Sequence, residues 1–469
     1  MGLLNIAVFL IALVPSSLCY KLERNQGTNE KDPVIEYLRL DPTAHHELVS
    51  LEITELRKQQ EEDESLPAGK RVHIRAFGSD VDLWLHPKDS ILVTENTPIY
   101  VSRYSEYLPG NADIVEWPGI MKSLGQIYED ADRLASFVIC TDSYGRTTVN
   151  GRIESMNLVV RSLPERVVSE YVEQRRPANA STHQFPDATY HVVYRTSGIL
   201  EKAYPMTGLN ARRVEKRTNE RPGVPKVIYP KILLVIDHSM YKLYKNDVNE
   251  LLEYILTLAN GIDLKYRSLE SPSFRFHIAG ILLAVEPEAL PYISTVKLGE
   301  GAFNSTIAMK TARSFFYSIR ESIPLATYDI ALTLTRLKFG SPDNGDNVLG
   351  KAWVGVTCKD TEGNKALDAV AICLDDGTFS GIHVAAHELG HTFGLWHDAQ
   401  QSDECSFRNG FLMAFTPYYT KNSSTFSNCS LNDFQRKIEY VLSSRVELGF
   451  GSMILSLPRP GVAMFFIRD

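Results

Sequence analysis

Cysteine is scarce in this sequence: six among 469 residues, at 19, 140, 358, 373, 405 and 429. A disulfide-scaffold module would need a far higher density, so none is expected. Long apolar runs are also missing. Beyond residues 1–19 no stretch approaches the roughly 18 consecutive apolar residues of a membrane span, and no anchor is expected. Positive charge is not in excess either. The net charge of −8 gives no reason to expect a nucleic-acid partner. What is left is 44% hydrophobic and 23% charged, the balance of a globular protein long enough for two or three domains.

Residues 1–19 hold an apolar core, Leu3 to Val14, followed by Pro15 and the small residues Ser16, Ser17 and Cys19. That order predicts a secretory signal peptide cut near Cys19 and Tyr20, and a secreted, extracellular product. Five cysteines then remain in an oxidising compartment. Four of them, 358, 373, 405 and 429, flank one motif and can form two bridges in three ways, leaving Cys140 alone.

That motif is His387-Glu388-x-x-His391-x-x-Gly394-x-x-His397-Asp398. On a helix His387 and His391 stand one turn apart, about 6 Å along the axis, on one face. Two imidazoles so placed can hold one tetrahedral cation, and Glu388 can reach a water on it without taking a ligand position. Gly394 lets the chain leave the helix with positive φ and brings His397 back as a third ligand. Three imidazoles and a water make an open catalytic Zn2+ site. His383 shares the face of His387 and reads either as an alternative ligand or as a residue lining the cleft.

The extended motif resembles the signature of the metzincin zinc proteases. Asp398 after the third histidine is similar to their reprolysin (adamalysin-like) branch. The run Gly410-Phe411-Leu412-Met413-Ala414 resembles that family's Met-turn, with Met413 beneath the metal. Gly350, Lys351, Ala352 and Trp353 resemble its substrate-binding edge strand. The resemblance implies a Cys405–Cys429 bridge, leaving Cys358 to pair with Cys373. It also implies that Asp398 anchors the turn from beneath. Lys231, where the family often has an acidic residue, weakens the case for its structural Ca2+. Trp396 departs from the smaller residues common at its position.

Alternating apolar positions at 71–78, 81–85 and 91–93 predict strands, and a charged run at 51–64 looks helical. Parts of this region, with 135–140 and 151–153, loosely resemble reprolysin propeptides. Residues 205–230 are a Pro- and Gly-containing linker in which Lys216-Arg217 offers a proprotein convertase a cut. After it, strand-like runs at 227–238, 275–285 and 328–335 alternate with helical ones at 251–259 and 307–323. That alternation predicts an α/β fold with a twisted, mostly parallel sheet. A helix is expected at 431–442. The division expected is signal peptide 1–19, β-rich propeptide 20–217 and protease domain 218–469, similar to the short secreted reprolysins of tick saliva and arthropod venoms. Asn179, Asn304 and Asn422 head glycosylation sequons.

The resemblance implies a zymogen of a zinc endopeptidase acting on protein substrates, with Glu388 as the base that takes the proton of the attacking water. A catalytically silent binding protein on the same fold, or a zinc hydrolase of non-peptide substrates, are the alternatives. No cysteine at 200–230 is available to hold the metal in a latent form. Cys140, Asp80, Asp187 or plain steric occlusion stay open as sources of latency.

Overall fold

The computed structural model describes residues 31–56, 67–175, 189–196, 226–244, 247–270, 272–340, 348–357, 365–398, 404–415, 420 and 422–447. The expected signal peptide, Lys216, Arg217, Asn179, Asp187 and Cys358 lie outside them.

The N-terminal half is built on a nine-stranded antiparallel sheet. Lys70–Ala76 and Ser79–Pro87 show why these residues form strands. Val72, Ile74 and Ala76 face inward with Val81, Leu83 and Leu85, while the residues between them face out. Phe77 and Gly78, both with positive φ, close this hairpin in two residues. The neighbouring strands are apolar on both faces. Phe137, Val160 and Val193 enter a core inside the N-terminal half, whereas Val138, Val159 and Val192 enter the core of the other half.

Two expectations fail here. The charged run at 51–64 is not helical at its start, since Glu52–Glu55 is the last strand of the sheet and pairs with Lys70–Ala76. An edge strand with three exposed charged or polar side chains carries no apolar stripe, and its polarity imitates a solvated helix. Residues 91–93 form a turn instead of a strand, and there Leu92 O accepts a bond from Ile278 N at 2.8 Å.

The second half has a seven-stranded sheet. Lys231–Ile236 runs parallel to His277–Ala284 on one side and Ile330–Thr335 on the other; Val370–Leu374 follows in parallel. Their near-continuous apolar runs fit strands covered on both faces. Gly350–Ala352 closes one side, antiparallel to Val370–Leu374. The other side holds a surprise. The hairpin Ile99–Tyr104 and Ala112–Glu116, from the N-terminal half, adds the last two strands, the first of them parallel to His277–Ala284. The expected boundary near 217 therefore divides the chain but not the sheet.

Between the two sheets lies the helix Val248–Tyr266, capped by Asp247, whose carboxylate accepts from Glu250 N at 3.0 Å. Every residue from Tyr254 to Tyr266 is buried. Gly261 allows a second helix, Gly381–Thr392, to come close, because a Cβ there would lie 2.5 Å from Ile382 Cδ1. Helices Ser305–Ser318 and Asn428–Glu447 complete the layers.

Candidate metal centre

The helix Gly381–Thr392 is positioned from its first turn. Asp375 accepts bonds from Gly377 N at 2.7 Å and Gly381 N at 2.8 Å. Tyr254, from the central helix, donates its hydroxyl to Asp375 at 2.6 Å and accepts from Phe379 N at 2.6 Å. A Cβ on residue 381 would sit 2.5 Å from Asp375 Oδ2, so the cap needs glycine there. Burial pushes the Asp375 carboxyl up to about 6.

The helix ends where the motif says it should. Gly394 has φ of 101°, and Leu395 N bonds back to Gly390 O at 3.0 Å. Residues 355–357, which follow the edge strand Gly350–Ala352, cover the last carbonyls, with Gly355 N on His391 O at 2.8 Å and Val356 N on Thr392 O at 3.1 Å. Asp398 then holds the returning chain: its carboxylate accepts from Ser427 Oγ at 2.5 Å and Ser430 Oγ at 3.3 Å, and its amide donates to Met413 O at 2.9 Å. Met413 is fully buried, with its sulfur against Gly390, where a Cβ would come within 2.6 Å.

These constraints bring His387, His391 and His397 together. His391 Nε2 lies 3.1 Å from His397 Nε2, which lies 3.1 Å from His387 Nε2. His387 Nδ1 is 2.7 Å from Leu412 O and His391 Nδ1 is 2.8 Å from Leu395 O. Both carbonyls require an N–H there, so both Nε2 atoms carry bare lone pairs. Burial holds all three imidazoles below their usual pKa, His391 at about 4, and keeps them neutral. Lone pairs crowded this closely repel one another unless a cation lies between them. In a tetrahedral site with Zn–N of about 2.0–2.1 Å the nitrogens stand roughly 3.3 Å apart. The observed spacing fits zinc.

Glu388 is buried beside the edge strand, and burial pushes its carboxyl up to about 8 while Lys351 pulls the other way. Gly350 and Lys351 lie in that strand with Ala352, and Trp353 follows it under the Arg313 guanidinium, 5.7 Å from ring centroid. His383 is outside the cluster. It is buried, held to about 3 chiefly by that burial, and bonded to the backbone of Ser423. Trp396 is exposed, and nothing around it explains it.

Cys405 and Cys429 are bridged, as expected. The expected Cys358–Cys373 bridge is corrected: Cys373 is a free thiol in the strand next to the edge strand, in register with Leu334 and Gly350 and wholly buried. Cys140 is also free, half-buried in the N-terminal sheet, and outside the histidine cluster. Asp80 is exposed and paired with Arg75 at 2.7 Å. Asn304 caps the helix Ser305–Ser318, and Asn422 donates its amide to Asn409 O at 2.9 Å. Tyr254, Asp375, Gly381 and Gly390 were not singled out from the sequence. The Asp375-Asp376-Gly377 turn just before the motif was a signal for one of them.

The sequence pattern of metallo-peptidase family M12, reprolysin type, matches residues 230–427. The chain carries a reprolysin-family M12 metallopeptidase domain. Over 415 residues the chain is 24% identical to a protein of Bombyx mori named "A disintegrin and metalloproteinase with thrombospondin motifs like", covering 78% of this chain and 59% of that one. It is 28% identical over 277 residues to venom metalloproteinase 2 of Eulophus pennicornis, covering 58% and 60%. Venom metalloproteinase 3 of the same organism is 24% identical over 322 residues, covering 66% and 69%. The chain thus spans about three fifths of the length of the first two relatives. Among the described residues, no helix is long and apolar enough to cross a membrane.

Proposed function

We propose that this chain is a secreted zinc metalloendopeptidase, made as a zymogen and matured by a proprotein convertase at Lys216-Arg217. The observation that carries the reading is the convergence of three Nε2 atoms, with 3.1 Å contacts, beside one buried carboxylate. His387, His391 and His397 would hold the ion. Bound there, zinc supplies Lewis acidity towards a carbonyl oxygen and towards a water in its open position.

The residues of the chain do the rest. Among the described residues Gly350–Ala352 is the last strand on its side of the sheet, and its outer edge takes an extended substrate backbone by main-chain pairing. That mode accepts many side chains, as an endopeptidase needs. Glu388 holds the proton of the attacking water on its carboxylate and passes it to the leaving amine. Asp398, Met413 and the Asp375 cap keep the three imidazoles in place.

Extracellular matrix or blood proteins are the substrate class we infer, since the relatives include venom metalloproteinases. The full chain, secreted from cultured cells and incubated with a protein mixture, tests the reading by mass spectrometry of new termini. New termini that vanish with a chelator and return with zinc support it. A profile unaffected by the chelator rejects it.

A further inference from the structure

The central strands of the N-terminal sheet have no face to spare for water. Its strands alternate so that Phe137, Val160 and Val193 fill one core while Val138, Val159 and Val192 pack with the catalytic half. A domain meant to leave would need the second face to be polar. Here that face is as apolar as the first, and one continuous core joins it to the helix Val248–Tyr266.

Main-chain pairing ties the halves a second time. Ile99–Tyr104 lies parallel to His277–Ala284, with Ile281 opposite Ile99 and Ala284 opposite Ser102. Gly280 makes room for it: a Cβ there would sit 3.0 Å from the Tyr100 ring. Taking the hairpin away would leave His277–Ala284 as an open, apolar edge.

Charge ties them a third time. Lys88 Nζ lies 2.5 Å from Asp263, with both side chains almost fully buried. Lys265 Nζ is 2.9 Å from Glu154 and also donates to Ser424 at 2.9 Å. Arg152, beside Glu154, donates to Thr378 O at 3.0 Å, in the turn that starts the histidine helix. The Lys88–Asp263, Lys265–Glu154 and Arg152–Thr378 contacts each join a residue of one half to a residue of the other. Separation would strand charges that burial has matched.

The structure assigns the N-terminal half a permanent place: we infer that after a cut in the 205–225 linker it stays docked as a non-covalent subunit of the peptidase. The histidines do not depend on its departure for their hydrogen bonds, because among the described residues their polar partners are Leu395, Leu412 and one another. The inference rests on the proposed function only for the cut itself, and the experiment supplies its own.

A recognition sequence for a site-specific protease is inserted between 205 and 215 of the full chain, with Glu388→Gln to prevent self-digestion. After the cut, size-exclusion chromatography with mass detection should show both fragments in one peak, with no shift from the uncut chain. Hydrogen exchange at 277–284 should be as slow as before the cut. Release of the N-terminal fragment, in its own peak or from a precipitated partner, overturns the inference. So does fast exchange at 277–284. Neither readout involves peptidase activity, so a failed function and a failed association are told apart.

Discussion

Gly350 and Glu388 are packed so closely that a single methyl between them has no room: a Cβ on residue 350 would lie 2.6 Å from Glu388 Oε1 and 2.6 Å from its Cγ. The edge strand proposed to take the substrate and the carboxylate proposed to move the proton are thus set against each other. Gly350→Ala is expected to push the carboxylate aside while leaving the three histidines alone. A displacement near 1 Å lowers kcat by roughly 10- to 100-fold. Zinc content should be unchanged by elemental analysis, and an unaltered kcat would show that the contact is passive.

Asp398 reaches the metal only through the turn it anchors. With Asp398→Ala, Ser427 and Ser430 lose their acceptor and His397 loses its support. Zinc affinity, measured by competition with a chromophoric chelator, is expected to fall roughly 10- to 100-fold. An unchanged affinity would mean that the bond between Asp398 N and Met413 O suffices.

His383 and His397 are expected to part company. His397→Ala should abolish stoichiometric zinc, whereas His383→Ala should keep it, since His383 bonds to the Ser423 backbone outside the cluster. Zinc lost from both variants alike would reopen the ligand set.

The N-terminal sheet should weaken in acid. His191 is buried, its Nε2 accepts from Val149 N at 3.0 Å, and burial holds it to about 4. An unfolded histidine has pKa of about 6.5, so between these values the unfolded chain binds the extra proton. The stability is fully present above about 6.5 and is lost as pH falls towards 4, at up to about 1.4 kcal/mol per pH unit. His191→Gln should remove about one proton from the acid limb of denaturant-derived stability against pH. A limb of unchanged slope would assign the proton elsewhere.

The centre of the site was legible because it is local. His387, Glu388, His391, Gly394 and His397 need only the helix repeat and one positive φ to converge, and that is how they sit. Tyr254 was not legible, because its link to Asp375 spans 121 positions. The strand Ile99–Tyr104 was hidden for the same reason: nothing in 99–116 says which sheet it will join. Glu52–Glu55 misled because a solvated edge carries the charges of a solvated helix. Cys373 misled because counting cysteines cannot show that one of them is wholly buried within a strand.

The most direct measurement compares Glu388→Ala with the unaltered chain for zinc content and peptide hydrolysis together. The variant should keep its zinc and lose hydrolysis by roughly 100- to 10,000-fold, the span of a missing general base. Hydrolysis that survives at the original rate with the metal in place would contradict the account.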